Sequence, residues 1–148
     1  MATWEFTHSV LTNASRMDAW LYWSDFRNHA LMEPAIVSVE FDGPFATGAT
    51  GRTTTKEFTQ EWTLTEVIVG ERFTITGVTA DGAGALSFSW EFTDEGSRTR
   101  MTQRISAYGP DVANYMDVFR QMEAHAPEGM ARLAVELDRL ARESDPGC

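Results

Sequence analysis

The spacing of apolar residues changes near residue 110, and this change restricts the fold more than any other feature of the sequence. From residue 35 to 108, apolar and polar residues alternate in short runs, which is typical of β-strands with one buried face. From 111 to 143 the apolar residues instead recur every three or four positions, which is typical of one long amphipathic helix. A large sheet and a long helix can bury their apolar faces by packing against each other.

The first strand is predicted at residues 3–11, where Trp4, Phe6, His8 and Val10 fall on one face. Six further strands follow, and the turn signal "TDEGS" joins the last two into a hairpin. Six consecutive strands joined by short turns predict an antiparallel meander, and with the first strand there are about seven. The residues expected to share a face within the later strands are Trp62, Leu64 and Ile68, then Phe73 and Ile75, then Leu86, Phe88, Trp90 and Phe92, then Met101, Gln103 and Ile105.

Two short helices are predicted between the first and second strands, at about 15–24 and 25–31, with Pro34 ending the second. The long C-terminal helix contains Pro127. Proline removes a backbone hydrogen bond and clashes with the preceding turn, so a kink or break is expected near 125–129.

These elements predict an α+β architecture, in which a curved seven-stranded antiparallel sheet wraps around the C-terminal helix. We expect residues 1–148 to form a single domain of this kind. A strongly curved sheet contacts a helix incompletely, so an internal cavity is expected between the two layers.

Composition excludes several classes of function. The chain has 12 basic and 22 acidic residues and a net charge of −10, which argues against nucleic-acid binding. No apolar run reaches the roughly 18 residues of a membrane span, and no signal peptide is visible at the N-terminus, so a cytoplasmic location is expected. The one cysteine, Cys148, has no partner for an internal disulfide.

The segments "WEFTHSVLTNASRMDAW", "SDFRNH", "VEFDGPFATGATGR", "GERFTI" and "MARLAVELDRLARE", in this order, resemble the helix-grip (SRPBCC) superfamily. That superfamily includes START lipid-transfer domains, the major birch pollen allergen, and bacterial polyketide cyclase/dehydrase and lipid-transport proteins. The resemblance covers essentially the whole chain and implies the helix-grip fold. It implies no single activity, because the superfamily includes carriers, receptors, chaperone co-factors and cyclases.

His8 and Gln103 are the polar residues expected on the inner, apolar face of the sheet. A histidine there could act as a general acid or base, or it could be a structural residue bonded to a neighbouring strand. Gln103 could orient a polar group of a ligand, or its amide could be satisfied by nearby backbone. Together with these two, the expected ligand-binding residues are Trp4, Phe6, Trp62, Phe73, Phe88, Trp90, Met101, Tyr115, Met116 and Phe119.

Two other patterns are weaker indications of chemistry. Asp25, His29 and Glu33 have helical spacing, but no second ligand cluster accompanies them, so neither a metal nor a cofactor is expected. The Gly-rich run at 41–52 lacks the Lys–Ser/Thr pair of a phosphate loop and lies between two strands. We interpret its glycines as turn residues at a strand connection.

The sequence therefore predicts binding of a hydrophobic or aromatic small molecule, lipid-like or polyketide-like, between sheet and helix. The alternatives are a cyclase or dehydratase with His8 as its acid–base residue and Gln103 or Tyr115 positioning the substrate, and an interaction module like the chaperone-activator branch of the superfamily. A paired edge strand would support a homodimer.

Overall fold

A computed structural model describes residues 3–56, 59–78 and 84–143. The first strand and the two short helices come first, followed by six strands and the long helix, as the sequence predicts. The elements are β1 (Thr3–Thr12), α1 (Arg16–Trp23), α2 (Arg27–Met32), β2 (Ile36–Asp42), β3 (Thr50–Thr55), β4 (Thr59–Ile68), β5 (Arg72–Val78), β6 (Ala85–Glu95), β7 (Arg98–Tyr108), a short 3-10 helix (Val112–Tyr115) and α3 (Met116–Glu143).

The seven strands form one antiparallel sheet in the order β1-β7-β6-β5-β4-β3-β2. Strands β2 to β7 are the predicted meander, and β1 pairs with β7 at its far edge. This arrangement and the long C-terminal helix confirm the predicted helix-grip fold. The register places Gln103 of β7 between His8 of β1 and Trp90 of β6, so these three side chains form a row on the inner face of the sheet.

A capping serine begins α1, and a proline follows the end of α2. The Ser15 hydroxyl caps α1 by accepting a 3.1 Å hydrogen bond from the backbone N–H of Asp18. One face of α1 buries Trp20 and Trp23 against the sheet, and α2 ends at Met32, two residues before Pro34.

Helix α3 differs from the prediction at two places. The break expected near 125–129 does not occur, because α3 continues from Met116 to Glu143 with Pro127 inside it. The preceding residues Val112–Tyr115 form a 3-10 helix instead of the first α-helical turn. Within the described part of the chain, no helix combines the length and hydropathy needed to cross a membrane.

The apolar interior has two parts. The first, here called the aromatic core, consists of the buried residues Ala14, Ala19, Trp20, Trp23, Phe26, Trp62, Leu64, Phe73, Ile75, Trp90, Phe92, Met101, Met130, Leu133, Ala134 and Leu137. The second, here called the small core, consists of the buried residues Trp4, Ile105, Ala107, Val112 and Phe119, with the half-buried residues Phe6, Leu86, Phe88, Met116, Met122 and Ala126 packed against them. Phe88 packs against both.

The predicted inner face of β4 is wrong at its last position. A bulge shifts the register between Leu64 and Glu66, so Val67 pairs with Phe73 and packs on the aromatic core. Ile68 pairs with Arg72 instead of continuing the inward row. Strict alternation fails here because a bulge inserts one extra residue and moves later side chains to the other face.

The Gly-rich segment connects β2 to β3, as interpreted from the sequence. Gly43 and Gly48 have φ of 97° and 99°, a backbone conformation that favours glycine. The N–H of Gly48 donates to the carbonyl of Leu64 at 2.8 Å, and the N–H of Leu64 donates to the carbonyl of Ala49 at 2.7 Å. The loop backbone therefore extends the sheet onto β4, and Phe45 in its middle packs on the aromatic core.

Candidate functional site

The centre of the candidate site is a hydrogen bond between His8 and Gln103 on adjacent strands. The His8 Nε2 and Gln103 Oε1 atoms are 2.6 Å apart. An amide oxygen only accepts hydrogen bonds, so the imidazole carries a proton on Nε2 and donates it. In its neutral form the His8 ring then has its lone pair on Nδ1, which accepts no hydrogen bond from the described residues.

Apolar rings flank this polar pair on the inner face. Phe6 stacks on the His8 ring with centroids 5.3 Å apart. Phe88 lies on β6, which is separated from β1 by β7. Phe6, His8 and Phe88 are only half-buried, whereas Gln103 is 8% exposed. The pair therefore occupies an apolar wall that is not completely enclosed, which is the usual composition of a small-molecule site.

A second polar contact lies at the start of α3. The Trp4 indole stacks on Phe119 with centroids 4.6 Å apart, and its Nε1 donates to the Glu123 carboxylate at 2.7 Å. This contact fixes the first turns of α3 against β1. Sequence reasoning missed Glu123 because it considered only the apolar positions of the helix, although Glu123 follows Phe119 by four residues and so shares its face.

Several predicted ligand-binding residues instead fill the aromatic core. Trp62, Phe73, Trp90 and Met101 are each at most 4% exposed. The Phe73 ring contacts the rings of Trp20, Phe26, Phe45, Trp90 and Phe92. All four are therefore enclosed by other side chains, and Trp90 also borders Gln103 in the polar row; their role in ligand binding stays a prediction.

The residues predicted on the C-terminal helix separate into two groups. Met116 and Phe119 belong to the small core together with Met122 of the same helix. Tyr115 lies outside this group because its side chain is 52% exposed. The 3-10 turn that contains Tyr115 has about three residues per turn, so the α-helical spacing of α3 does not extend back to it. Leu86, which was not among the expected contacts, joins the small core from β6.

The histidine of α2 has a structural environment. His29 stacks on Trp23 with centroids 3.7 Å apart, and its Nε2 donates to the Trp23 carbonyl at 2.8 Å. Burial lowers the pKa of His29 from 6.5 to about 4, so the ring is neutral at physiological pH.

Asp25 and Glu33, which share helical spacing with His29, have other partners. Asp25 forms an ion pair with Arg27 at 2.6 Å. Glu33 reaches toward Gly129 and Arg132 of α3, and burial raises the pKa of its carboxyl. Across the residues described, no group of three or more potential metal ligands is found.

Two depressions of the surface lie away from the polar row. One, of about 380 Å³, is lined mainly by polar side chains of β3, β4 and β5. The other, of about 390 Å³, lies between α2 and α3 beside Met32 and Val135. Neither includes a residue of the His8–Gln103 row, and the internal cavity expected from the sequence stays a prediction.

The fold resembles several solved structures over nearly its whole length. The Zhui aromatase/cyclase from a Streptomyces strain superposes with a TM-score of 0.76 at 17% identity, over 95% of this chain and 97% of that chain. Ara h 8.0201 gives a TM-score of 0.71 at 10% identity, over 92% and 98% of the two chains. Norcoclaurine synthase from Thalictrum flavum gives 0.70 at 13% identity, over 97% and 96%.

At these identities the structural likeness shows the fold alone. No curated protein matches the chain by sequence. The family described as polyketide cyclase/dehydrase and lipid transport matches residues 3–145, which is nearly all of the chain. The order of strands and helices, the long C-terminal helix and this sequence match agree, and the chain therefore belongs to the polyketide cyclase/dehydrase and lipid transport family.

Proposed function

We propose that the protein binds a hydrophobic or aromatic small molecule between the sheet and α3, with His8 and Gln103 holding the polar group of the ligand. Membership of a family of cyclases and lipid-transport proteins supports a ligand of this class. The aromatase/cyclase among the structural neighbours supports a flat aromatic or polyketide-like molecule over a flexible lipid.

One observation carries the proposal. The 2.6 Å hydrogen bond between His8 and Gln103 lies on an apolar wall whose aromatic neighbours Phe6 and Phe88 are half-buried. Elsewhere on the inner face of β6 and β7, the side chains of Phe92, Met101 and Ile105 are at most 2% exposed. A polar pair beside incompletely covered rings offers both the apolar contact area and the orienting group of a ligand site.

Binding of a fluorescent hydrophobic probe tests this location. Phe88→Ala is expected to weaken the binding of anilinonaphthalene sulfonate about tenfold, because a ring that covers the ligand is lost. Phe45→Ala is the matched control, since Phe45 is also half-buried but packs on the aromatic core at the Gly-rich loop.

The two substitutions separate the possible results. A probe that binds the wild-type protein, responds to Phe88→Ala and ignores Phe45→Ala supports the site. Equal weakening by both, or no binding by the folded wild-type protein, would show that the proposed site is wrong.

A second candidate function is acid–base catalysis in the same place. It is favoured by the direction of the His8–Gln103 hydrogen bond, which leaves Nδ1 of the neutral ring with a lone pair. A neutral imidazole is a common general base, so Nδ1 of His8 would accept a proton from the carbon next to a ligand carbonyl. Gln103 would keep the ring in the orientation that presents Nδ1.

Proton exchange tests the catalytic role separately from binding. The wild-type protein is expected to accelerate exchange of the α-protons of phenylacetone in heavy water, and His8→Ala is expected to abolish the acceleration. His125→Ala is the control, because His125 is exposed on α3. If α-proton exchange of phenylacetone is as fast with His8→Ala as with the wild-type protein, the catalytic role is wrong and only the binding function remains.

A further inference from the structure

Two buried indole groups have no hydrogen-bond partner. The Nε1 atoms of Trp23 and Trp90 are enclosed, and neither has an acceptor within the described part of the chain. Each tryptophan is 4% exposed. An unpaired buried donor costs about 1–3 kcal/mol and is rare in folded proteins, so each instance requires a physical explanation.

Trp90 continues the polar row of the candidate site. It is the direct cross-strand partner of Gln103, which in turn is the partner of His8. Cβ atoms of directly opposite residues are about 5 Å apart, so the three side chains are immediate neighbours on one face. The Gln103 oxygen accepts from His8, and among the described residues its amide nitrogen donates to none.

The row therefore contains two donors that have no acceptor among the described residues. The available donors are the amide nitrogen of Gln103 and the indole nitrogen of Trp90. Phe88, two residues before Trp90 on the same strand, holds its ring nearly parallel to the indole, with centroids 6.2 Å apart and 15° between the planes. Because Phe88 is half-buried, one flat apolar surface adjoins these donors.

We infer that Trp90 is a further ligand-contacting residue, and that the ligand presents an acceptor oxygen, as in an aryl ketone, to Trp90 Nε1 and Gln103 Nε2. This inference rests on the proposed function. A carbonyl oxygen has two lone pairs and can accept from both donors at once. Trp90 then discriminates between ligands that carry this oxygen and those that lack it, because a hydrocarbon leaves the buried indole donor unpaired.

Trp23 supplies a matched control inside the same protein. Its indole stacks on His29 at 3.7 Å, while Trp90 lies 5.2 Å from His29 and 5.9 Å from Trp23, nearly perpendicular to both rings. These distances place Trp90 beside the stacked pair. Trp23 thus has the same residue type, burial and unpaired nitrogen as Trp90, but it belongs to α1 and not to the polar row.

The experiment compares fluorenone with fluorene, which has nearly the same shape but no oxygen, by equilibrium dialysis. The wild-type protein is expected to bind fluorenone about tenfold more tightly, the effect of one or two hydrogen bonds to unpaired donors. Trp90→Phe is expected to remove most of this preference, because it removes the indole donor and keeps an aromatic ring. Trp23→Phe is expected to retain the preference.

Each result decides a different point. Equal binding of the two compounds by the wild-type protein, or an unchanged preference in Trp90→Phe, overturns the inference while the proposed site stands. If only Trp23→Phe loses the preference for fluorenone, the ligand oxygen accepts from the indole of α1, and the inference is also overturned. If neither compound binds, the proposed function itself is wrong. Should Trp90→Phe fail to fold, Gln103→Leu, which removes the second donor, is expected to reduce the preference.

Discussion

The aromatic core and the small core differ in how completely their side chains are enclosed. In the aromatic core Leu64, Phe73 and Met101 are 0% exposed, and rings from α1, the Gly-rich loop and the sheet interlock. In the small core Phe6 and Phe88 remain half-buried, and the His8–Gln103 pair lies beside them. We therefore expect the aromatic core to provide most of the stability. The proposed ligand contacts lie in the small core and at Trp90 on its border, so substitutions in the two cores should have largely separable effects.

Removing a ring should distinguish the two cores most strongly. Phe73→Ala is expected to lower the free energy of unfolding by about 4 kcal/mol, because it removes a fully buried ring from close-packed neighbours. Phe88→Ala is expected to cost about 2 kcal/mol, since part of that ring already contacts water. Urea unfolding measures both, and equal losses would contradict the distinction.

Lowering the pH should reduce the stability of the protein through His29, which is buried among the rings of the aromatic core. Its pKa is lowered to about 4 in the folded protein, so between pH 6.5 and 4 the unfolded chain binds a proton that the folded chain does not. The associated stabilisation is complete above pH 6.5 and is lost as the pH falls toward 4. The loss is about 3 kcal/mol.

Urea unfolding of the wild-type protein and of His29→Phe across this pH range measures the effect. The wild-type protein should lose more stability with acid than the variant does. His125→Ala, at an exposed histidine of α3, should follow the wild-type curve. Identical curves for wild-type protein and His29→Phe would show that His29 is not held neutral.

Enlarging a small residue should also affect the stability of the two cores differently. A Cβ at Gly51 would lie 2.3 Å from the Trp62 ring and 2.8 Å from the Glu40 carbonyl, neither of which can easily move. Gly51→Ala is expected to lower the free energy of unfolding by about 2 kcal/mol. Ala126→Leu, in the half-buried part of the small core, is expected to leave stability nearly unchanged and to weaken probe binding. A reversal of the two stability effects would contradict this.

The smallest contrast concerns single hydrogen bonds. Thr99 is 1% exposed and donates to the Ala14 carbonyl at 2.8 Å, so Thr99→Val leaves a buried carbonyl without its donor. We expect a loss of about 1.5 kcal/mol in unfolding free energy. Gln103→Leu is expected to cost about 0.5 kcal/mol, because water can reach the half-buried His8. A larger cost at Gln103 than at Thr99 would mean that His8 is enclosed after all.

Local periodicity was sufficient to predict the fold. Alternation identified the inner residues of β1, β6 and β7, and the helical spacing after residue 111 identified α3. The errors occurred where one residue changes the geometry. The bulge after Leu64 turns Ile68 away from the core, and a 3-10 turn separates Tyr115 from the spacing of α3. Single-residue irregularities of this kind leave no trace in a periodic pattern.

The candidate site was predictable only in part. Alternation placed His8 and Gln103 on the inner face, but only the strand register shows that they are direct partners. Whether Trp62 or Phe73 lines a cavity or fills the core depends on how α1, α2 and the Gly-rich loop pack on the sheet. That packing joins residues far apart in sequence, so the pattern within any one segment does not contain it.

The pairing of β1 with β7 has a consequence for the synthesis of the chain. His8 and Gln103 are 95 residues apart in sequence, and among the described strands β1 pairs with β7 alone. Since β1 is synthesised before the other six strands of this sheet, it must wait for β7 before it can pair. Contacts between such distant residues form slowly, and an unpaired strand is prone to associate with other chains. A nascent chain that ends before residue 98 has no polar pair, so the proposed site can exist only once translation of the sheet is complete.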